Sequence, residues 1–278
     1  MKYILSVLLL CSSALTMPTF AQSYEELGDR AMTAIEQDSL DQAEAYILQA
    51  LKLEPANPHN ALLFSNLGTI RRQRQQYEGA LEAYSFALNF APTSVPILMN
   101  RATLLQEMGE LDAARVDYSM ILDFDATNRK ALQMRAYIYM QMQAYKEART
   151  DFEKLLQTDE QHYAGRLGLA TLSRKEGKLQ EALDILNKMI TENDKGQPDA
   201  VLLVARAGVE MDLKCDDLAL ADLETAIKCN PSLPEAYLVR GQLLLSQDKK
   251  ALARAEFEKA ASLGIPYAEL KELIQQCQ

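Results

Sequence analysis

Small side chains recur along this chain at a fixed step. Gly68, Ala102, Ala136 and Ala170 are evenly spaced, and the series resumes with the same interval at Ala207 and Gly241. A second series runs beside it through Ala80, Ala114, Ala148 and Ala182, then Ala219 and Ala253. Ala31 and Ala43 begin both series one unit earlier, and two of the steps are slightly longer than the rest. The extra residues fall at Asn57-Pro58-His59-Asn60 and Asp194-Lys195-Gly196-Gln197-Pro198, which break the helical pattern; such turns tolerate insertion. The spacing predicts two helices per unit, joined by a short turn, with one small residue on each so that the backbones approach closely. Four positions after the second small residue stands a large one to fill the groove: Tyr84, Tyr118, Phe152, Leu186, Leu223 and Phe257. A small or apolar residue follows three later, at Ala87, Ile121, Leu155, Met189, Ala226 and Ala260.

The helix boundaries carry their own signals. Pro55, Pro92 and Pro231 follow predicted second helices, where a chain that cannot continue a helix stops it. Ser23-Tyr24-Glu25-Glu26 reads as a capping box that opens the first helix. At the other end, Gly264 closes a helix and Pro266 opens another. In that last helix Tyr267, Leu270, Leu273 and Ile274 form one face, opposite Lys271, Glu272, Gln275 and Gln276. An amphipathic final helix covers the last exposed face of a stacked array. The predicted organisation is one array over 22–278, with repeats at about 24–57, 61–94, 95–128, 129–162, 163–196, 200–233 and 234–265 and a capping helix at 266–277.

These residues resemble the tetratricopeptide repeat family. Its pattern is matched best in the second repeat, by Phe64, Leu67-Gly68, Tyr77, Ala80, Tyr84, Ala87 and Pro92; Arg71 stands where the family has a tyrosine. The resemblance covers 24–265, with the fifth and sixth repeats the most degenerate. It implies an all-α, right-handed superhelical solenoid of about seven helix pairs with a concave groove that binds protein partners. The family's clamp for C-terminal carboxylates uses Lys and Asn on successive first helices. Ser65, Thr69, Met99 and Thr103 occupy the matching sites here, so the clamp is missing.

A charged pattern is superimposed on the repeat. Arg101, Arg135, Arg206 and Arg240 precede the small residue of their first helices, and Asp117, Asp151, Asp222 and Glu256 follow at one constant offset on the second. The second and fifth repeats hold Leu67 with Ala83 and Leu169 with Ile185 instead, and the first holds Arg30 opposite Tyr46. An ion pair between the two helices of a unit is expected. Removing one partner costs about 3 kcal/mol if the pair is buried and under about 1 kcal/mol if it is exposed.

Residues 1–21 do not belong to the repeat. Lys2 is followed by the apolar run Tyr3 to Leu15, and Thr19-Phe20-Ala21 has small residues where a signal peptidase reads. A signal peptide cleaved before Gln22 is expected, leading to an exported protein, periplasmic or associated with the cell envelope. An uncleaved anchor is disfavoured by the short run and by Pro18. A lipidated Cys11 is disfavoured by Leu10, because that pattern has a small residue before the cysteine. No later stretch is apolar enough to span a membrane. The net charge of −10 argues against nucleic acid and against a polybasic membrane surface as partner. Cys215, Cys229 and Cys277 match no zinc spacing; packing residues, or a disulfide between two of them, are the readings left open.

No catalytic constellation is present. The two histidines, His59 and His162, lie far apart near helix starts, and metalloprotease, nucleophile-elbow and phosphate-loop motifs are missing. Neither a metal nor a cofactor is expected, nor an enzyme. Candidate binding residues lie on the first helices, turned away from the paired second helix. In the fourth repeat these are Gln133, Tyr137, Met140 and Gln141, a neutral set where a solvated face would be charged. Met99 and Thr103, with Gln106, match them in the third repeat, and Thr171 and Arg174, with Leu167 and Lys175, in the fifth. Val204, Met211, Leu238, Gln242 and Leu245 follow in the sixth and seventh. Such a surface suits an extended peptide or a partner helix; the same Leu and Val positions also suit packing between repeats. The basic cluster Arg71-Arg72-Gln73-Arg74 suits the C-terminus of its helix, and Arg72, Arg174 and Lys175 are further candidates to receive an acidic partner segment. The function expected is a protein–protein interaction scaffold or adaptor. The alternative is an assembly subunit of an envelope complex that uses its convex face or ends.

Overall fold

The computed structural model describes residues 22–192 and 198–278. The expected signal peptide and most of the second inserted turn lie outside the described residues. Among those described, the protein has fifteen α-helices and no strand. The first four pairs are α1 (Tyr24–Glu36) with α2 (Leu40–Leu53), α3 (Asn60–Gln73) with α4 (Tyr77–Phe90), α5 (Val95–Glu107) with α6 (Leu111–Phe124), and α7 (Arg129–Gln141) with α8 (Tyr145–Thr158). There follow α9 (Tyr163–Lys175) with α10 (Leu179–Glu192), α11 (Ala200–Asp212) with α12 (Asp216–Cys229), and α13 (Pro234–Ser246) with α14 (Lys250–Ser262), then α15 (Tyr267–Gln276). Two compact units divide the chain, the first ending at Ile97 and the second running from Leu98 to Gln278.

In the first unit α1 packs on α2, α2 on α3, and α3 on α4. Leu27, Ala31, Ala43, Ile47, Leu67 and Ile70 form its core. Ser23 caps α1 by accepting from the Glu26 amide at 3.1 Å. Only this half of the capping box forms, since the Glu26 carboxylate turns to Arg30 at 2.7 Å. The basic cluster at the end of α3 is engaged: Arg71 bonds Glu44 at 3.1 Å, and Arg74 pairs with Glu44 at 2.6 Å and with Asp41.

The packing of the second unit is shown by α9, which contacts its own second helix α10, the second helix of the preceding repeat, α8, and the next first helix, α11. Both series of small residues are buried along the chain, as are all six large groove-fillers. The predicted ion pairs form. Arg101 and Arg135 each grip their aspartate with two hydrogen bonds of 2.7–2.8 Å, and Arg206 grips Asp222 in the same way. Arg240 reaches Glu256 at 2.8 Å. Asp117 and Asp151 are buried while their arginines are about one-fifth exposed, so these are inter-helix locks and not surface pairs. Two arginines extend the lock to the preceding repeat, Arg135 to Ser119 at 3.0 Å and Arg206 to Asn187 at 2.8 Å.

Arg206 also lies 3.8 Å from Glu210, a buried carboxylate with one oxygen lacking a partner. Burial pushes the Glu210 carboxyl above its ordinary range, and neighbouring Asp222 pushes the same way.

The turn between the helices of a pair needs one residue in the left-handed region. Gly109 and Gly177 supply it in the third and fifth repeats, at φ 80° and 77°. Asp38, Gln75, Gln143, Lys214 and Asp248 adopt it elsewhere at φ 55–64°, where a side chain is disfavoured. At the end of the chain α15 packs on α14 through Leu270, Ile274 and the half-buried Leu273. Tyr267, expected on that face, is 61% exposed. It is the first residue of α15, one turn before the apolar contact begins.

Candidate partner-binding face

The surface of interest is built by the first helices of the second unit. α7 contacts α9, α9 contacts α11, and α11 contacts α13, so these helices lie side by side.

The candidates of the third repeat, on α5, and of the fourth, on α7, are largely engaged within the protein. Met99 on α5 is half-buried, and its carbonyl accepts from the Thr103 hydroxyl at 2.8 Å. The Tyr118 hydroxyl, 3.5 Å from Thr103, donates to Gln106 at 2.7 Å. Tyr137 packs its ring edge-on against Phe152, with centroids 5.5 Å apart, and donates its hydroxyl to the Ala164 carbonyl at 3.2 Å. Burial pushes the Tyr137 phenol up, and a hydrogen bond with Gln133 partly offsets that. Gln141, at the end of α7, is exposed. Met140 is only 9% exposed and packs with Ala136, Ala148, Phe152 and Leu172. The sequence reading put Met140 on the open face; the next first helix, α9, covers it and draws it into the core.

Arg174 is likewise committed. It bonds Asp212 on the neighbouring α11 at 2.6 and 3.2 Å. Its guanidinium lies close against Gly208, where an added Cβ would sit 2.4 Å from Nη1. The absence of a side chain at Gly208 is what admits this inter-repeat bridge. Thr171 donates to the Leu167 carbonyl at 2.9 Å, so its hydroxyl is already used within α9.

Farther along, the face opens. Leu167 and Thr171 of α9, Val201, Val204 and Ala205 of α11, and Leu233 and Glu235 at the start of α13 line a cleft of about 310 Å³. A small recess of about 50 Å³ shares Thr171 and Ala205 with it and extends to Leu186 and Val209. The Tyr163 hydroxyl bonds Asp199, the N-cap of α11, at 3.0 Å and ties α9 to α11 beside the cleft. Burial and that acceptor both push the Tyr163 phenol well above its usual range, burial the more.

Leu167, Thr171 and Val204 were legible as face residues; Val201, Ala205, Leu233 and Glu235 were not. Val201 stands one helical turn before Val204, which is the signal that could have found it. Leu233 and Glu235 sit at the N-terminal end of α13, outside the register used to project the other helices. Among the described residues no group of three His, Cys, Asp or Glu side chains is placed to hold a metal, and Cys215, Cys229 and Cys277 are free thiols. The two histidines are N-cap residues: His162 accepts from the Gly165 amide at 3.1 Å, and His59 precedes α3. Among the described residues no helix is long and apolar enough to cross a membrane.

Two tetratricopeptide repeat family models match the chain, one over 139–207 and the other over 29–95 and 217–268. A tetratricopeptide repeat protein from Parabacteroides merdae is 34% identical, with a TM-score of 0.83 over 92% of this chain and 99% of its own. PilW, a type IV pilus biogenesis factor, shares 19% identity at a TM-score of 0.61 over 77% of this chain and 96% of its own. PilF of Pseudomonas aeruginosa shares 17% at 0.59 over 79% and 97%. At these identities PilW and PilF show a common fold alone. No curated protein matches the chain. The buried small-residue ladder, the helix pairs that carry it and the two family matches together make this chain a member of the tetratricopeptide repeat family.

Proposed function

We propose that the protein is an exported interaction scaffold that takes an extended peptide or a helix of a protein partner on the first-helix face of its second unit. Tetratricopeptide arrays generally serve as protein-interaction modules, and that much follows from the family. The finer reading rests on the cleft between α9, α11 and α13. Five of its seven lining residues are aliphatic, and Val201 keeps 41% of its surface in water. A large aliphatic side chain held open on a packed helix face gains by being covered. The rigid first helices hold the cleft in place before a partner arrives, which lowers the ordering cost of binding. Export rests on the pattern of residues 1–21, and protein recovered from an envelope fraction should begin at Gln22.

The second-helix side is the competing surface, because Leu218 and Leu252 occupy matching positions of successive repeats with 59% and 57% exposure. The test uses residues 22–278 as bait in an envelope extract, beside Val201→Asp and Leu218→Asp, with equal melting temperatures verified first. A partner held by wild type and Leu218→Asp but lost from Val201→Asp supports the proposal. Loss from Leu218→Asp alone moves the interaction to the second helices and makes the chain an assembly subunit.

A further inference from the structure

The cleft carries a charge as well as an apolar lining. Glu235 stands at its rim in the first turn of α13 and is exposed. Its carboxylate forms no ion pair or hydrogen bond among the described residues. On this face Arg174 is engaged by Asp212, and the exposed Lys175 at the end of α9 lies outside the cleft lining. No lysine or arginine lines the cleft. Asp199, at the N-terminus of the neighbouring α11, adds a second carboxylate at the base of the same helix row. The chain as a whole is acidic, at −10, so a cationic segment is drawn toward it at long range. A cleft of about 310 Å³ is at the small end of ligand sites and admits a large side chain more readily than a whole cofactor.

Building on the groove reading above, we infer that the cleft selects a partner segment in which a large apolar residue is flanked by lysine or arginine. The apolar side chain seats against Val201, Val204 and Leu233, and the cation meets Glu235. Burial of the apolar side chain supplies the larger part of the affinity. The exposed ion pair at the rim supplies selectivity, since exposed pairs contribute little to affinity but like charges are repelled. The preference for a basic over an acidic flank is therefore expected at roughly three- to tenfold at low salt and narrows as salt screens the pair.

A displayed library of random peptides, selected in parallel on wild type (residues 22–278), Glu235→Lys and Val201→Asp, tests this. Circular dichroism first establishes that all three are folded. Wild type should enrich peptides with a large apolar residue next to Lys or Arg, Glu235→Lys should enrich the same apolar residue next to Asp or Glu, and Val201→Asp should enrich neither. If wild type and Glu235→Lys select the same flanks while Val201→Asp selects nothing, the charge inference fails and the groove reading stands. If Val201→Asp retains the wild-type peptides, or wild type enriches none, both fail.

Discussion

The fourth and fifth repeats are neighbours built on one template, yet they use their polar groups differently. In the fourth, Arg135 grips the buried Asp151 through two 2.7 Å bonds, and Tyr137 leans on Phe152. Leu169 and Ile185 occupy the arginine and aspartate positions of the fifth, both half-buried against its apolar clusters. At these matched positions the fourth is thus joined by a charge pair and the fifth by dispersion and burial, the fifth placing its own ion pair elsewhere, from Arg166 to Glu192. Their outer faces differ in the opposite sense. That of the fourth carries tyrosine and amide groups that bond the backbone and one another, whereas that of the fifth opens into an aliphatic cleft. A polar residue on an outer face is therefore not in itself a binding group; what matters is whether its bonding capacity is already used.

The largest expected effect breaks the lock of the fourth repeat. Asp151→Ala leaves Arg135 largely buried without its partner and should lower stability by about 3–5 kcal/mol, read as a drop in melting temperature. Ile185→Ala, at the matching position of the fifth repeat, removes only half-buried aliphatic surface and should cost roughly 1–2 kcal/mol. Equal losses would mean that the charge pair is no more than packing. The double variant Arg135→Met/Asp151→Leu should recover most of the loss, because a well-packed apolar pair replaces a buried ionic one with little penalty.

A smaller effect lies in the sixth repeat, where one arginine faces two carboxylates. The Glu210 carboxyl is raised above its ordinary value of 4.5 in the folded protein. The native state therefore holds this proton more tightly than the unfolded chain does. The stability this contributes is present below about pH 4.5 and is lost as pH rises through the raised value. Glu210→Gln removes that loss. At pH 7 the variant should be more stable than wild type by about 1 kcal/mol, and the difference should vanish toward pH 4. A difference independent of pH would show that Glu210 is not the titrating group. The smallest effect is at the turns. Gln143→Gly relieves a left-handed residue and should add about 0.5–1 kcal/mol, with Gly177→Gln in the fifth repeat losing a similar amount.

Most of the fold was legible because its signals are repeated. Ala102, Ala136 and Ala170 keep a constant interval only because each must admit a second helix at the same height, and their near-complete burial follows from that. The ion pairs were legible for the same reason: from the second repeat to the seventh, arginine and its carboxylate recur together at one spacing or are replaced together, and only the first repeat, with Arg30 opposite Tyr46, breaks the rule. The face was less legible, because what fills or covers a position depends on the neighbouring repeat. Met140 is buried by α9, and Arg174 finds the distant Asp212 only because Gly208 leaves room. The cleft was legible in part, since Leu233 and Glu235 reach it from the start of the following helix and not from the periodic stripe.

The account stands on the claim that a partner covers the first-helix face at Val201. The most direct measurement places the photoreactive residue p-benzoylphenylalanine at position 201, or at position 218 as a control on the second helices, and irradiates intact cells. The account predicts a discrete cross-linked protein band from position 201 and none from position 218. A band from position 218 with none from position 201 would contradict it and assign the interaction to the opposite side of the helix pairs.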